Sequence, residues 1–204
     1  MSKAPLLPVS TIPADVPTVV LRDVADLIRA PLIKSNTARG GAVFRLASIG
    51  DIPEHGFLPL PERSVRLQAG RAEALRFALE DYDVVMTMVG TIGRIGIIPE
   101  QRDEPWVPAS NIVVIRFREQ KREQAVALVA FIRSPHGRRL LHEMTHGRTI
   151  PIISKKAFAR IQIPAMTPRL QKAITTYTRK ETLLFQKRGE IERQIEELRD
   201  AYLP

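Results

Sequence analysis

His142-Glu143-Met144-Thr145-His146, inside LLHEMTHGR (140–148), carries the most explicit chemistry in this sequence. On a helix, histidines four residues apart share a face, and a glutamate beside the first could activate a metal-bound water. That is the arrangement of zinc peptidases. Such a site also needs a third protein ligand. Between Gly147 and Lys180 the chain has no Asp, Glu, His or Cys, and the nearest downstream carboxylate is Glu181. The run after His146, Gly147-Arg148-Thr149-Ile150-Pro151, holds no third histidine in metzincin register, and its basic neighbours oppose a dication. An upstream ligand is unmarked. A zinc metallopeptidase stays as an alternative; the competing reading puts both histidines on a helix surface or against a sheet.

Other catalytic signatures are weaker still. There is no cysteine, so thiolate metal sites and cysteine nucleophiles are excluded. We find no Walker loop, no Gly-x-Ser-x-Gly elbow and no Asn/Asp-Pro-Pro-Tyr/Phe tetrapeptide of the adenine methyltransferase kind. GTIGRIG (90–96) lies between apolar strand-like pieces, whereas a dinucleotide fingerprint must open a helix. Glu119-x-Lys121 has no Pro-Asp partner ahead of it, so it remains half of a nuclease motif. No catalytic, cofactor or metal residue is assigned.

Charge points elsewhere. The formal net charge is +9 and the sequence pI about 10.3. From Arg133 to Lys172 there are nine basic residues against one acid, Glu143, so nearly all of the excess sits in one stretch. Such concentration favours a polyanion, nucleic acid ahead of an anionic membrane surface. The apolar N-terminus is broken by Pro5, Pro8, Pro13 and Pro17, which argues against a signal core or a membrane span; a soluble cytoplasmic protein is expected.

The elements that must position these residues alternate between strand and helix. LRDVADLI (21–28) reads as a short amphipathic helix capped by Asp23. IKSNTARGGA (33–42) is a polar, basic loop leading into the strand VFRLASI (43–49), and GDIPEHG (50–56) is a turn. LRFAL (75–79) and DVVMTMV (83–89) read as strands, GTIGRIGIIPE as tight glycine turns between short strands, and NIVVIRF (111–117) as another strand. Residues 120–146 read as two helices broken at Ser134-Pro135 and stopped by Gly147. Ser154 caps KKAFARI, and QIP is a short strand.

The C-terminal segment differs in kind. Leu170, Ile174, Tyr177, Leu184, Ile191, Ile195, Leu198 and Tyr202 recur at alternating steps of four and three, interrupted by Glu181 and Arg188. Helix over this span measures roughly 48 Å at about 1.5 Å per residue, too long to lie wholly on a small domain. The seam therefore calls for a second helix. Across an antiparallel partner, Glu181 could meet Arg188 and set the register. The alternative is one long helix packed on its own domain.

In order and spacing, VLRDVADLI, GDIPEHG, DYDVVMTMVGTIGRIGIIPE, ASNIVVIRF, FIRSPHGRRLL, GRTIPIIS, FARIQIP and Gln171 resemble the target recognition domain of type I restriction-modification specificity subunits, followed by their long conserved helix. The resemblance spans about residues 20–204. IPAMTP (163–168) departs from it by lacking the doubled proline usual before the glutamine. A full specificity subunit has two recognition domains and two long helices, so this chain would be half of one.

The resemblance implies an α+β fold: a small recognition domain of mixed or antiparallel strands with flanking helices, then a long C-terminal coiled-coil helix. Residues 1–19 would be a proline-rich arm, 20–166 the DNA-binding domain and 167–204 the dimerising spacer. The implied role is non-catalytic DNA reading, with double-stranded DNA, an adenine-specific methyltransferase subunit, a restriction or translocase subunit and a second copy of this chain as partners. Loop residues of types that read bases or grip phosphates are Lys34, Asn36, Thr37 and Arg39 in the first loop, Arg71 in the middle loop, Thr91 and Arg94 in the glycine turn, and Arg148 after the helix. Arg138, Arg139, Lys155 and Lys156 suit phosphates. A non-DNA scaffold or adaptor is the remaining alternative.

Overall fold

The computed structural model describes residues 16–29, 42–67, 75–100, 104–147 and 149–202; within the last segment several side chains, including those of Glu181 and Arg188, lie outside the description. The chain divides after Met166 into two compact units. In chain order the first unit holds strands β1 (Thr18–Val20), β2 (Ala25–Arg29), β3 (Ala42–Ala47), β4 (Ser64–Leu67), β5 (Val84–Thr87), β6 (Ile95–Ile97), β7 (Trp106–Pro108), β8 (Ile112–Phe117) and β9 (Gln162–Pro164). Its helices are α1 (Leu21–Val24), α2 (Lys121–Arg133), α3 (Pro135–Met144) and α4 (Lys155–Phe158), and the second unit is one helix, α5 (Pro168–Tyr202).

β5 and β8 come from the two most continuous apolar runs, and almost every residue in them is buried. Strands covered on both faces require such runs. They are the central pair of a four-stranded antiparallel sheet with order β2-β8-β5-β6. Val85, Ile112 and Val114 join Ala47, Ile52, Leu58, Ile98 and Trp106 in one core cluster, and α2 packs against β6, β8 and β9. A second sheet, β4-β3-β7, pairs β3 antiparallel with β4 and parallel with β7. β1 and β9 form a separate antiparallel ladder, extended by the Leu21 N–H donating to the Ile161 carbonyl at 3.0 Å.

Several expectations need correction. LRDVADLI is not a single helix: α1 is one turn, and Ala25–Arg29 is an edge strand paired with β8 from Ala25↔Phe117 to Arg29↔Val113. Ladder pairing satisfies more backbone groups than a second isolated turn would. Asp23 sits inside that turn; its N-cap is Val20, without a side-chain bond. LRFAL is not a strand, because it folds into a turn closed by Ala78 N–H to the Leu75 carbonyl at 3.1 Å. α3 ends at Met144 with Thr145 extended, so Gly147, at φ +99°, serves the following turn and does not stop the helix. Ser154 precedes α4 without a side-chain cap bond. The break at Ser134-Pro135 is as expected: Ser134 Oγ accepts from Gly137 N–H at 3.1 Å, with proline at the first helical position.

α5 is a continuous helix of 35 residues, about 52 Å at ~1.5 Å per residue. Thr167 Oγ1 accepts the Leu170 N–H at its start. All the apolar seam positions lie within it. Ile174 is buried and Leu170 half-buried, whereas Tyr177, Leu184, Ile191, Ile195, Leu198 and Tyr202 are exposed.

Candidate nucleic-acid interface

The sheet registers decide which connections meet. β2 ends at Arg29 opposite Val113, β5 ends at Thr87 opposite Ile112, and β6 begins at Ile95 opposite Met86. The end of β2, the β5–β6 turn and the start of β8 therefore share one end of the four-stranded sheet. Segment 30–41, with Lys34, Asn36, Thr37 and Arg39, departs there from Arg29. It rejoins the fold at Ala42, opposite Leu67, from which segment 68–74 with Arg71 departs. Those five residues and Arg148 lie outside the described residues; the strand ends that bracket segments 30–41 and 68–74 lie inside them.

The β5–β6 turn is built around Thr87, which is fully buried. Its hydroxyl donates to the Thr91 carbonyl and accepts the Arg94 N–H at 3.1 Å, while Gly93 N–H returns to the Thr87 carbonyl at 3.1 Å. Gly93 has φ +83°, and a Cβ there would meet Leu141 Cδ1 of α3 at 2.9 Å. Thr91 stands exposed at the tip. Arg94 is half-buried and gives Nη2 to the Ile52 carbonyl at 2.7 Å, so part of its guanidinium braces the turn.

A second loop is bonded to this turn. His146 and Ile152 exchange backbone bonds at 3.0 and 2.8 Å, Ile153 N–H donates to the Met88 carbonyl at 2.9 Å, and Gly90 N–H to the Pro151 carbonyl at 2.9 Å. The loop is thus closed on itself by the His146–Ile152 pair and tied through Pro151 and Ile153 to the backbone leading into Thr91. Ser110 and Asn111, exposed just before β8, occupy the same sheet end. Sequence reasoning did not single out Asn111, although a polar residue immediately before a buried apolar run is the available signal.

Charge separates the two ends of the sheet. At the opposite end Asp83, 1 % exposed, receives Arg116 Nε at 2.9 Å and Nη2 at 2.7 Å; Arg116 also bridges Glu80 at 2.6 Å, which bridges Lys121 at 2.7 Å. Burial pushes the Asp83 carboxyl above its ordinary range despite Arg116, whereas the Lys121 hydrogen bond lowers that of Glu80. Arg118 pairs with Asp26 and lowers its pKa by the same means. Arg116, Arg118 and Lys121 are thus paired with acids. Arg138, Arg139 and Lys156 are exposed, and no ion pair among the described residues involves them. Lys155 Nζ reaches the Leu27 carbonyl of β2 at 3.2 Å.

The zinc-peptidase arrangement is not formed. Because α3 ends at Met144, His142 lies on the helix while His146 lies on the loop paired with Ile152. Both are exposed, and the described residues contain no group of three or more His, Cys, Asp or Glu able to hold a metal. No helix among them is long and apolar enough to cross a membrane.

No family model and no curated protein sequence matches the chain. Solved structures do. A chain from a type I restriction-modification assembly aligns over 96 % of this chain and 46 % of its own length, at 15 % identity and TM-score 0.58. The HsdS subunit from Thermoanaerobacter tengcongensis aligns over 96 % of this chain and 42 % of its own, at 16 % identity and TM-score 0.53. The type I S subunit from M. genitalium aligns over 98 % and 47 %, at 15 % identity and TM-score 0.58. This chain spans about half the length of those proteins, and its α+β fold, with antiparallel and mixed sheets, resembles that of type I specificity subunits.

Proposed function

We propose that this chain is a non-catalytic DNA-recognition subunit of a type I-like restriction-modification or DNA methyltransferase complex. The observation that carries the reading is the meeting, at one end of the main sheet, of the end of β2, the β5–β6 turn with Thr91 and Arg94, the start of β8 and the 151–153 backbone, in a fold that resembles specificity subunits; Lys34 to Arg39 and Arg148 are assigned to the same surface as part of the proposal. Arg116, Arg118 and Lys121 at the far end are paired with Asp83, Glu80 and Asp26, whereas no ion pair among the described residues involves Arg138, Arg139 or Lys156. Phosphate contacts by these residues would position the domain, and loop side chains would read base edges.

In this reading residues 1–19 are an arm, 20–166 the reader and 167–204 the spacer, and the protein works in the cytoplasm. Chemistry belongs to an adenine-specific methyltransferase subunit and, in a restriction assembly, to a nuclease or translocase subunit. The α5 seams of two copies pair antiparallel, which carries identical readers to opposite ends of a rod about 50 Å long. Two readers related by a dyad require an inverted-repeat target with a gap of fixed length, its half-site centres on the order of one 34 Å duplex turn or more apart.

The test is fluorescence anisotropy of the full chain on a randomised duplex at a series of salt concentrations. Affinity should fall steeply with salt, and Arg138→Gln or Arg139→Gln should each flatten the log–log slope by about one unit. A slope of zero, or no duplex binding even with the cognate methyltransferase present, would establish the scaffold alternative.

A further inference from the structure

An exposed apolar row crosses the loop ladder at the candidate interface. Val89 is bridged to Ile152, and Ile152 to His146, both antiparallel. Residues directly opposed in such a ladder send their side chains to one face, about 4.5–5.5 Å apart at Cβ. Ile152 retains 38 % of its surface, Val89 37 %, and Ile150, near the tip of the same loop, 55 %. The exposure is held in place: the His146–Ile152 pair, Ile153 N–H to Met88 and Gly90 N–H to Pro151 fix the backbone beneath it.

The surroundings restrict what can cover this row. From Met144 to Lys180 the sequence contains no acid, and Arg138, Arg139, Lys155 and Lys156 lie on the two helices that flank the loop. An apolar row in a basic frame suits a partner that is anionic at its rim and locally apolar within. Duplex DNA has this composition in the major groove, where phosphates line the edges and the thymine 5-methyl is the apolar group that bases present. His146 adds a polar member. Its Nδ1 lies 3.3 Å from the Met144 carbonyl; a carbonyl only accepts, so in the neutral ring that contact takes the tautomer with the proton on Nδ1 and Nε2 as the acceptor. Such an acceptor suits the exocyclic amine of adenine, the pairing partner of thymine.

We propose that Val89, Ile150 and Ile152 read thymine methyl groups in the major groove, with His146 beside them as a hydrogen-bond acceptor for adenine. This assignment rests on the DNA-reading function above and names the base it selects. It also gives the second histidine of the HExxH pattern a role without metal.

The experiment takes duplexes selected from a randomised library by the full-length chain and replaces each thymine in turn by deoxyuridine, which removes only the methyl. At one or more positions wild-type binding should weaken about fourfold, the effect of a buried methyl group worth ~0.8 kcal/mol at 1.4 kcal/mol per tenfold. The variant Ile150→Thr/Ile152→Thr keeps β-branched residues in the ladder; with Val89 and the smaller threonine methyls left, it should bind the thymine duplex more weakly and distinguish uracil less than the wild type does. A flat uracil scan with ordinary salt-dependent binding overturns the methyl contact and leaves the DNA-reading function intact. Absence of duplex binding overturns both. A variant that keeps thymine discrimination but fails to co-purify with its methyltransferase subunit makes the row a protein interface and overturns the proposal.

Discussion

Ile195→Asp tests whether a second copy covers the α5 seam. Leu184, Ile191, Ile195 and Leu198 are each 52–65 % exposed in the single chain. Full burial of such a side chain is worth about 1.5–3 kcal/mol, so covering the exposed part of each gains ~1–1.5 kcal/mol. With the tyrosines, and counted on both chains, this comes to on the order of 10 kcal/mol, against an association cost of at least ~4 kcal/mol. A two-fold dimer carries the substitution twice. Each copy loses ~1 kcal/mol of burial and brings a carboxylate to an apolar seam at a further ~1–3 kcal/mol or more. The dimer should weaken by roughly 4–8 kcal/mol, about a thousandfold or more at 1.4 kcal/mol per tenfold. Sedimentation velocity across a concentration series measures this directly. Arg193→Ala, which removes only an exposed pair with Glu190 off the seam, should change the dissociation constant less than about threefold. A wild-type chain that sediments as a monomer at every concentration, alone and with its methyltransferase partner, would refute the reasoning, and so would an Ile195→Asp chain that dimerises normally.

Three further predictions concern the reader. Arg116→Met should destabilise residues 16–166 by about 3–5 kcal/mol in chemical denaturation, because Asp83 is left buried and unpaired. A carboxyl whose folded pKa lies above its unfolded value binds more protons when folded, so stability falls as pH rises; the deficit of Arg116→Met should therefore be largest near neutral pH and shrink toward pH ~4, and a pH-independent deficit would contradict the desolvation argument. Gly93→Ala places a Cβ at φ +83° and 2.9 Å from Leu141 Cδ1, which should cost ~1–2 kcal/mol and reduce duplex binding by shifting the turn that carries Thr91. His142→Ala should leave duplex binding and zinc content unchanged; stoichiometric zinc in the wild type that disappears in the variant, as measured by plasma emission spectrometry, would restore the metallopeptidase reading.

Much of the fold was legible because its signals are local. The uninterrupted apolar runs of β5 and β8 could only be buried strands, Ser134-Pro135 could only restart a helix, and the heptad spacing from Leu170 to Tyr202 required a long helix. The excess charge between Arg133 and Lys172, together with the absence of cysteine, limited the chemistry before any geometry was known. Local patterns misled where a distant partner outbid them. LRDVADLI has helical spacing, yet Ala25–Arg29 pairs with β8, almost ninety residues away. HEMTH has metal-ligand spacing, yet His146 leaves the helix because its backbone pairs with Ile152. Which loops share a surface is likewise a property of strand register: Arg29 opposite Val113 and Thr87 opposite Ile112 bring together segments that lie about sixty residues apart along the chain. Spacing along a chain specifies the periodicity of an element and its amphipathic face. Long-range backbone pairing decides which ends coincide, and with them which residues can act on one ligand.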